Sequence, residues 1–506
     1  NYRQSIMRNL KYCVLSLAIL LFVLPSCWKI DEGGSLELEP IEVVAASDTI
    51  NANLGVELKY EGLTVKSGLD VKFEWTYGQP ADGKTIADHL FKPGTVEKFS
   101  TSPTIDYTFS KIGTFLLRLR LDNGESVSYK YFTLNVNSGY DEGVAILSND
   151  NAGNGSLTFV KTLTSEESAA GEREVFPDVF SSINPGQTLK NGVALFMSNA
   201  TVKKVDYSGI LIATNDERST MWHMEAKTFQ LFQKAGMAGT GSSFKAFGGE
   251  IANTSGFAAF LLGNNSHIYR YDMLLGNYTD MTDIKPMTRV FGGLSRTMPT
   301  TESVRTTIYY TDDTLCIRRS ASAGVFYYSQ KGYSVVNMAT MRTSKNNGLY
   351  ILFRNNANPE NYLIRCTDGV GGIGTFKKWG ASVDFTTSDL KMDENSKFVN
   401  TKHSADVYYT FGNAIYRWSL ISAPATKPTI TLPAGEQIRD IATNFKGRGK
   451  GNDGEDLLYV VTYNPSRAGD KKGSLYVYSF SDDSLVRSYE GICDDPVSVL
   501  YKYRVN

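Results

Sequence analysis

The sequence is poor in the residue types that build metal centres and disulfide frameworks. It has only 5 Cys and 4 His, and no two of them have the spacing of metal ligands. Beyond the N-terminal segment the cysteines are Cys316, Cys366 and Cys493. This odd and sparse set indicates buried apolar residues rather than disulfides. We therefore expect neither a metal nor a cofactor.

An excess of one charge is also missing. The chain has 52 Lys and Arg against 53 Asp and Glu, so its formal net charge is -1. This balance gives no electrostatic reason for binding to nucleic acid or to an anionic membrane surface. A partner must therefore be recognised by shape and by local contacts.

Sequence motifs of common enzymes are absent as well. There is no Gly-x-Ser-x-Gly elbow, no His-Glu-x-x-His helix and no P-loop. Residues 369–374 satisfy Gly-x-Gly-x-x-Gly, but no helix is predicted after them to bind a pyrophosphate, so a loop is the better interpretation. Acidic pairs such as Asp312 with Asp313 and Asp494 with Asp495 occur, yet glycosidase carboxylates meet from separate strands. We predict a non-enzymatic protein, with a hydrolase as the alternative.

Only one long apolar run is present, at residues 14–24. It follows Arg8 and Lys11, precedes Cys27, and is shorter than the about 20 residues that span a membrane. This order resembles a bacterial lipoprotein signal peptide. We predict a signal peptide at residues 1–26 with its true start at Met7, a lipidated Cys27, and a tether at residues 27–38.

The residues after Cys27 are relevant to the location of the protein. Lys29, Asp31 and Glu32 resemble the surface-export signal of Bacteroidetes lipoproteins. The resemblance implies an outer-membrane protein that faces the cell exterior and touches the membrane only through its lipid. An ordinary polar tether is the alternative.

The composition and the hydrophobic pattern of the rest of the chain are typical of β structure. It contains 29 Tyr, 26 Phe and 45 Gly, in short alternating apolar runs broken by Asn, Asp and Gly. We predict an all-β chain whose first domain, residues 39–138, is an immunoglobulin-like sandwich. Alternation places Trp75 on an inner face within residues 71–75, with residues 117–121 facing it from a second sheet.

Two motifs sharpen this prediction for the first domain. Residues 73–78 and 107–115, the latter leading to Asp122, Asn123 and Gly124, resemble the PKD domain, whose central strand carries a buried Trp. The resemblance implies a spacer that lifts the following domain from the membrane.

A repeat runs through residues 139–506. An apolar strand ending in Arg recurs at Arg270, Arg318, Arg365 and Arg417, at intervals of about 50 residues, each after a partner strand and a turn. With related strands near Leu157, Met221 and Leu475 this gives seven hairpins, which predicts a seven-bladed β-propeller. The repeated Arg either pairs between blades or lines a ligand channel, and its regularity favours the first.

The whole arrangement is similar to the PKD-like family lipoproteins of Bacteroidetes. Residues 143–160 match the family pattern at the domain junction, and residues 488–502 match its ending. The resemblance implies an accessory of a SusC/SusD-type nutrient uptake system, which captures glycan or oligopeptide for a TonB-dependent transporter. Its partners would be the transporter complex and other surface lipoproteins. A purely structural accessory that packs on the transporter is the alternative.

Exposed aromatic residues in loops are the candidate ligand contacts. Trp379 is the best of them, because it lies in a Gly- and Lys-rich segment outside the strand pattern. Trp222 and Trp418 occupy repeat positions and are interpreted as packing residues.

Two further patterns are short. Thr49, Thr314 and Ser484 each follow an Asp and precede an aliphatic residue, which resembles the Bacteroides O-glycosylation sequon. Residues 149–155 have oxygen-rich side chains but lack the spacing of an EF-hand, so we predict a hairpin turn there rather than a calcium site.

Overall fold

The computed structural model describes the chain from residue 38 to residue 503 with gaps. The described residues are 38–169, 171–198, 201–202, 205–206, 209–237, 244–249, 258–263, 268–272, 275–280, 289–291, 307–311, 314–318, 325–342, 347–367, 379–400, 406–444 and 456–503. They confirm the all-β prediction. The chain divides into two units, residues 1–137 and residues 138–506. Within the described residues, no helix has the length and apolar character needed to cross a membrane.

The described part of the first unit, residues 38–137, has nine strands. They are β1 (Glu42–Ala45), β2 (Thr49–Asn53), β3 (Glu57–Tyr60), β4 (Leu63–Lys66), β5 (Lys72–Gly78), β6 (Glu97–Ser100), β7 (Ile105–Thr108), β8 (Gly113–Asp122) and β9 (Val127–Asn137), with a 3-10 helix at Ile86–Asp88. A five-stranded sheet has the order β2-β9-β8-β5-β6, and two small sheets pair β1 with β4 and β3 with β7. Only β2 and β9 are parallel in the five-stranded sheet.

Trp75 is the centre of the first unit's core. It is fully buried, as predicted, and its indole N–H donates to the Ser102 carbonyl at 3.0 Å. The predicted facing arrangement is wrong, however, because β5 and β8 are antiparallel neighbours that place Trp75 opposite Leu119 within one sheet. The opposing layer comes from the small sheets, whose Leu58 and Leu63 pack on the same core.

The second unit begins with a sheet that joins its two ends. It contains β10 (Gly143–Asn149), β11 (Asn154–Lys161), β12 (Val175–Phe176), β13 (Leu189–Lys190) and β40 (Asp495–Lys502), with short helices α1 (Ser165–Ala169) and α2 (Val179–Ile183) in its connections. The order is β40-β10-β11-β12, and β13 pairs with β11. The last strand of the chain therefore completes the sheet that the first strand of the unit begins.

Six four-stranded antiparallel sheets follow in chain order. The second contains β14 (Gly192–Ser198), β17 (Gly209–Thr214), β18 (Met221–Glu225) and β19 (Leu231–Ala235), with β15 (Thr201–Val202) and β16 (Val205–Asp206) forming a separate hairpin. The third contains β20 (Phe244–Gly249), β21 (Ala258–Gly263), β22 (Ile268–Asp272) and β23 (Asn277–Asp280). The fourth contains β24 (Arg289–Phe291), β25 (Thr307–Thr311), β26 (Thr314–Arg318) and β27 (Val325–Ser329).

The remaining sheets have the same plan. The fifth contains β28 (Tyr333–Arg342), β29 (Asn347–Asn355), β30 (Asn361–Thr367) and β31 (Trp379–Thr386). The sixth contains β32 (Phe398–Asn400), β33 (Val407–Phe411), β34 (Ala414–Trp418) and β35 (Ile430–Thr431). The seventh contains β36 (Gln437–Thr443), β37 (Leu457–Tyr463), β38 (Gly473–Ser479) and β39 (Leu485–Cys493).

The repeat found in the sequence corresponds to one position in these sheets. Every predicted copy lies on the third strand, namely β11, β18, β22, β26, β30, β34 and β38. A second repeat was not visible in the sequence. In five sheets the pairing of the first strand with the second contains a register shift, which bends the first strand locally.

Buried polar side chains after these shifts link successive sheets. Asp440, fully buried on β36, accepts the Val499 N–H of β40 at 2.9 Å. Ser498, fully buried on β40, accepts the Leu195 N–H of β14 at 3.2 Å. The seventh, first and second sheets are thus joined through their first strands.

Apolar layers fill the space between the sheets. Trp222 and Trp418 are 4% and 1% exposed and belong to two of these layers, which confirms that they pack in the core. Arg417 forms an ion pair with Asp406, which directly precedes β33 of its own sheet. The predicted pairing of the repeated Arg between blades is therefore wrong for Arg417. The side chains of Arg270 and Arg318 lie outside the described residues.

Candidate functional site

Several residues singled out in the sequence lie outside the described residues. Cys27, Lys29, Asp31 and Glu32 belong to this group, as do residues 312–313 and 369–374. The predictions made for them stay predictions.

The three glycosylation candidates have different surroundings. Thr49 begins β2 and is exposed, and Ser484 is exposed in the turn before β39. The backbone of Thr314 begins β26, and its side chain is not among those described. The Ser484 hydroxyl donates to a carboxylate oxygen of Asp482 at 2.7 Å.

The sequence suggested a loop position for Trp379. In the structure Trp379 is instead the first residue of β31, where it pairs with Thr367. Its side chain is not described. The far end of β31 is Thr386, which pairs with Asn361. At about 3.3 Å per residue, the eight-residue strand separates its two ends by roughly 23 Å.

A cleft of about 550 Å³ lies beyond that far end of β31. It is formed where β28 begins, β29 ends and β30 begins, and it extends to the end of β33 in the next sheet. Its lining residues are Ser334, Val335, Val336, Arg354, Tyr362, Ser388, Leu390, Met392, Asp393, Glu394 and Phe411. The structure therefore does not bring Trp379 to this cleft.

The floor of the cleft is aliphatic. Val335 and Met392 are 8% and 3% exposed, and the partly buried Val336 and Leu390 lie beside them. Val336 is the residue that the register shift inserts between Val335 and Asn337 in β28. The shift thus places consecutive valines at the cleft, although alternation along a regular strand would direct them to opposite faces.

Arg354 and Tyr362 share one row of the fifth sheet with Ser334. In the ladder, Ser334 pairs with Arg354, and Arg354 pairs with Tyr362. Directly opposite residues on neighbouring strands place their side chains on one face. The row continues to Phe385 of β31, whose ring stacks on Tyr362 with centroids 5.2 Å apart.

The segment between β31 and β32 closes the other side of the cleft and is held at defined points. Asn337 donates its side-chain N–H groups to the carbonyls of Asp393 and Ser396, at 2.7 and 3.2 Å. An Asp393 carboxylate oxygen accepts the Asn395 N–H at 2.8 Å. These bonds fix the backbone of the wall, while the exposed Glu394 side chain stands at its rim.

The charges at the rim are of both signs. Arg354 is exposed at the end of β29, and Asp393 and Glu394 are exposed on the wall. Within the described part of the chain, Arg354 forms no ion pair, and no three His, Cys, Asp or Glu side chains could hold a metal ion together. The arrangement can bind polar groups of either charge above an apolar floor.

Other polar clusters of the second unit hold the fold. Asp494 pairs with Lys471 at 2.5 Å, and Asp495 forms two bonds with Arg439 at 2.7 and 3.0 Å. The acidic pair at this position is therefore engaged by two separate cations. It does not present two carboxylates to one substrate.

A second cluster is centred on Arg467. Its guanidinium contacts Glu436, only 2% exposed, at 2.5 Å, and also pairs with Glu490. Glu436 further accepts bonds from Thr462 at 2.5 Å and Asn464 at 3.0 Å. Both carboxylate oxygens of Glu436 therefore have hydrogen-bond donors. The network supports the turn before β38.

The 149–155 segment is a hairpin turn between β10 and β11, as predicted. Asp150 accepts the N–H groups of Ala152 and Asn154 at 2.8 and 2.7 Å. Hydrogen bonds from the Asn154 side chain and backbone hold the pKa of the Asp150 carboxyl below its usual range. Its oxygens therefore hold the turn.

Sequence reasoning missed the cleft. Its lining residues come from five separate segments, and none matches a motif. One visible sign was the Asn-rich turn between β29 and β30, residues 355–361, which marks a sheet end rich in polar groups.

Comparisons with known proteins extend only to the fold. No protein-family model and no curated protein matches the chain. A quinonprotein alcohol dehydrogenase-like protein from Bacteroides thetaiotaomicron is 14% identical with a TM-score of 0.46, covering 92% of this chain and 99% of that one. A DUF4784 family protein from Bacteroides caccae is 10% identical with a TM-score of 0.30, over 92% and 99%. BamB from Moraxella catarrhalis is 10% identical with a TM-score of 0.33, over 68% and 98%. Likeness at these values says nothing about the activity of this chain.

Proposed function

We propose that the protein is a surface lipoprotein of the outer membrane that captures a glycan or an oligopeptide in the cleft of its second unit. It presents this ligand to a SusC/SusD-type TonB-dependent transporter as a non-enzymatic accessory. The observation that carries the proposal is the cleft, which combines an aliphatic floor, a row of Ser334, Arg354 and Tyr362, and an exposed charged rim.

The architecture proposed for this role has two parts. The first unit is an immunoglobulin-like, PKD-like sandwich that acts as a spacer, supported by its buried Trp75 and its two layers. The second unit is a seven-bladed β-propeller. Its support is the series of seven sheets, the bulge in the first strands of five of them, and the pairing of β10 with β40, by which the last strand of the unit joins its first sheet.

The proposed anchor is the lipid on Cys27. Growth with a labelled fatty acid should label the wild-type protein and the Cys13→Ala variant, whereas Cys27→Ala should stay unlabelled. Replacing Lys29, Asp31 and Glu32 with Ala together should keep the lipid but remove surface accessibility to added protease. Labelled Cys27→Ala protein would contradict the proposed anchor.

Binding is favoured over catalysis by the state of the carboxylates. Asp393 uses a carboxylate oxygen to hold the wall of the cleft, and Asp494 and Asp495 are each occupied by a cation. A catalytic pair needs two carboxylates directed at one bond. These three carboxylates instead form structural contacts.

A steric block of the cleft tests the proposal. Ser388 is exposed at the cleft, so Ser388→Trp should fill it without disturbing the core. Thr426→Trp is the matched control, because Thr426 is exposed in the connection between β34 and β35 at the opposite end of the sheets. Retention in affinity electrophoresis against glycans, and titration calorimetry against peptides, should show binding that Ser388→Trp abolishes and Thr426→Trp preserves.

The outcomes separate the alternatives. Absence of binding to all glycans and peptides, with co-purification on a tagged transporter, would overturn ligand capture and favour the structural accessory. Release of shortened products from a polymer would instead favour the hydrolase. Trp379 stays a predicted second contact, and loss of retention in Trp379→Ala would place a ligand at the other end of β31.

The O-glycosylation proposed at Thr49, Thr314 and Ser484 has a direct test. Each Ala variant should lower the intact mass of the protein purified from its native membrane by one glycan. An unchanged mass in all three variants would overturn it.

A further inference from the structure

We infer that the ligand of the cleft is a short peptide that inserts an apolar side chain and places its free C-terminal carboxylate on Arg354. The inference rests on the proposed function, namely that the cleft binds a ligand. It goes further by choosing between the two ligand classes.

The floor provides the first argument. Val336 and Leu390, both partly buried, contribute aliphatic surface at the bottom of the cleft, and the buried Val335 and Met392 lie beside them. Burial of an aliphatic side chain against such a surface is favourable in proportion to the apolar area removed from water. A neutral sugar has hydroxyl groups at nearly every carbon, and these would lose their water without finding partners on this floor.

The aromatic rings provide the second argument. Sugars bind through flat, exposed ring faces, and the cleft presents little of this surface. Tyr362 is only 8% exposed, and Phe385 covers one of its faces. Phe411 is partly buried and packs edge-on against Tyr416, with ring centroids 6.3 Å apart at 72°.

The rim provides the third argument. A peptide with free ends carries an ammonium and a carboxylate, and the rim offers both complements. Arg354 is an exposed guanidinium, which binds a carboxylate through two parallel hydrogen bonds. The exposed Asp393 on the opposing wall can attract the ammonium. A neutral glycan would use neither charge.

The position of Arg354 relative to the floor fits this mode. Arg354 lies in the ladder between Ser334 and Tyr362, and Val335 and Val336 follow Ser334 directly along β28. A carboxylate on Arg354 is therefore placed beside the aliphatic surface. The volume of about 550 Å³ lies within the range of about 300–1,000 Å³ for small-molecule sites.

The test is titration calorimetry of the full-length protein with four probes. They are trileucine with a free carboxylate, C-amidated trileucine, a neutral maltooligosaccharide and an acidic oligogalacturonate. The variants are Arg354→Gln and Ser388→Trp, with Arg218→Gln as the control, because Arg218 is exposed in the turn between β17 and β18 of another sheet. Thermal unfolding midpoints should be the same for all variants, since each changed side chain is exposed.

The expected result is binding of trileucine that Arg354→Gln weakens by about tenfold or more, since a charge-assisted bond is lost. The amidated peptide should bind wild type and Arg354→Gln equally weakly, Ser388→Trp should abolish binding, and Arg218→Gln should have no effect. Binding of either oligosaccharide but of no peptide would overturn the inference and leave the proposed function standing. Binding of none of the probes would count against both. Trileucine binding that Ser388→Trp abolishes but Arg354→Gln leaves unchanged would overturn the inference alone. Trileucine binding that neither cleft variant changes would place the peptide outside the cleft and count against both.

Discussion

Removal of the Ser498 hydroxyl tests whether the last strand joins the two ends of the second unit. Ser498 is fully buried on β40, and its oxygen accepts the N–H of Leu195, which is fully buried on β14. Because β40 also pairs with β10 along its length, it contacts both the first and the second sheet. Ser498→Ala removes the link to the second sheet and keeps the backbone ladder to the first.

The cost of this substitution follows from the bond that is lost. Alanine keeps the Cβ of serine, so little packing is lost, but a buried N–H without an acceptor costs about 1–3 kcal/mol. Unfolding entropy is about 2.1 cal/mol/K per residue near 60 °C, which gives roughly 0.8 kcal/mol/K for a unit of about 370 residues. A loss of about 2 kcal/mol should therefore lower Tm by roughly 2–3 °C.

Differential scanning calorimetry of the full chain measures this change. Ser488→Ala is the matched control, because Ser488 is exposed on β39 and its loss should change the free energy of unfolding by less than about 0.5 kcal/mol. If both variants unfold at the wild-type midpoint, Leu195 does not depend on Ser498, and the reasoning is refuted.

Three further perturbations have defined outcomes. Trp75→Ala should destabilise the first unit by about 3–5 kcal/mol in denaturant titration, whereas Val127→Ala, at a position 46% exposed, should have almost no effect. Burial raises the pKa of the Cys493 thiol from 9.0 to about 12. Between pH 9 and 12 only the unfolded chain loses this proton, so the free energy of unfolding should fall over this range. The fall should be smaller in Cys493→Ala, and the native thiol should resist alkylation at about pH 8. Arg467→Met should destabilise the second unit by about 3–5 kcal/mol, because it leaves the Glu436 carboxylate buried without its cation, and adding Glu436→Met should recover part of this loss in the same thermal assay.

The repeat could be read from the sequence because strands with the same position in a sheet meet the same requirements. The third strand lies inside its sheet, and the layers on its two faces bury most of its side chains, as in β38, where all seven residues are buried. Such strands recur visibly. Five of the first strands carry a bulge that no residue type marks: Val336 and Arg439 occupy equivalent bulge positions and share no chemistry.

The arrangement of the first unit could be predicted only in part, because alternation shows which residues are buried and not what they face. Trp75, Leu117 and Leu119 are buried as expected. Whether β5 and β8 are neighbours or opposite layers depends on the connection between them, and β6 and β7 intervene in sequence while only β6 joins the same sheet. Both arrangements bury the same side chains, so hydrophobic periodicity cannot distinguish them.

The cleft is beyond sequence reasoning for a related physical reason. Ser334, Arg354 and Tyr362 are neighbours only because the registers of two strand pairs align them, and a shift of one residue in either pair would turn one of the three to the other face. The wall then depends on one amide, Asn337, which the bulge in β28 places where its N–H groups meet the carbonyls of Asp393 and Ser396. A loop tryptophan is conspicuous in a sequence, whereas a site assembled by register is visible only when the strands are paired.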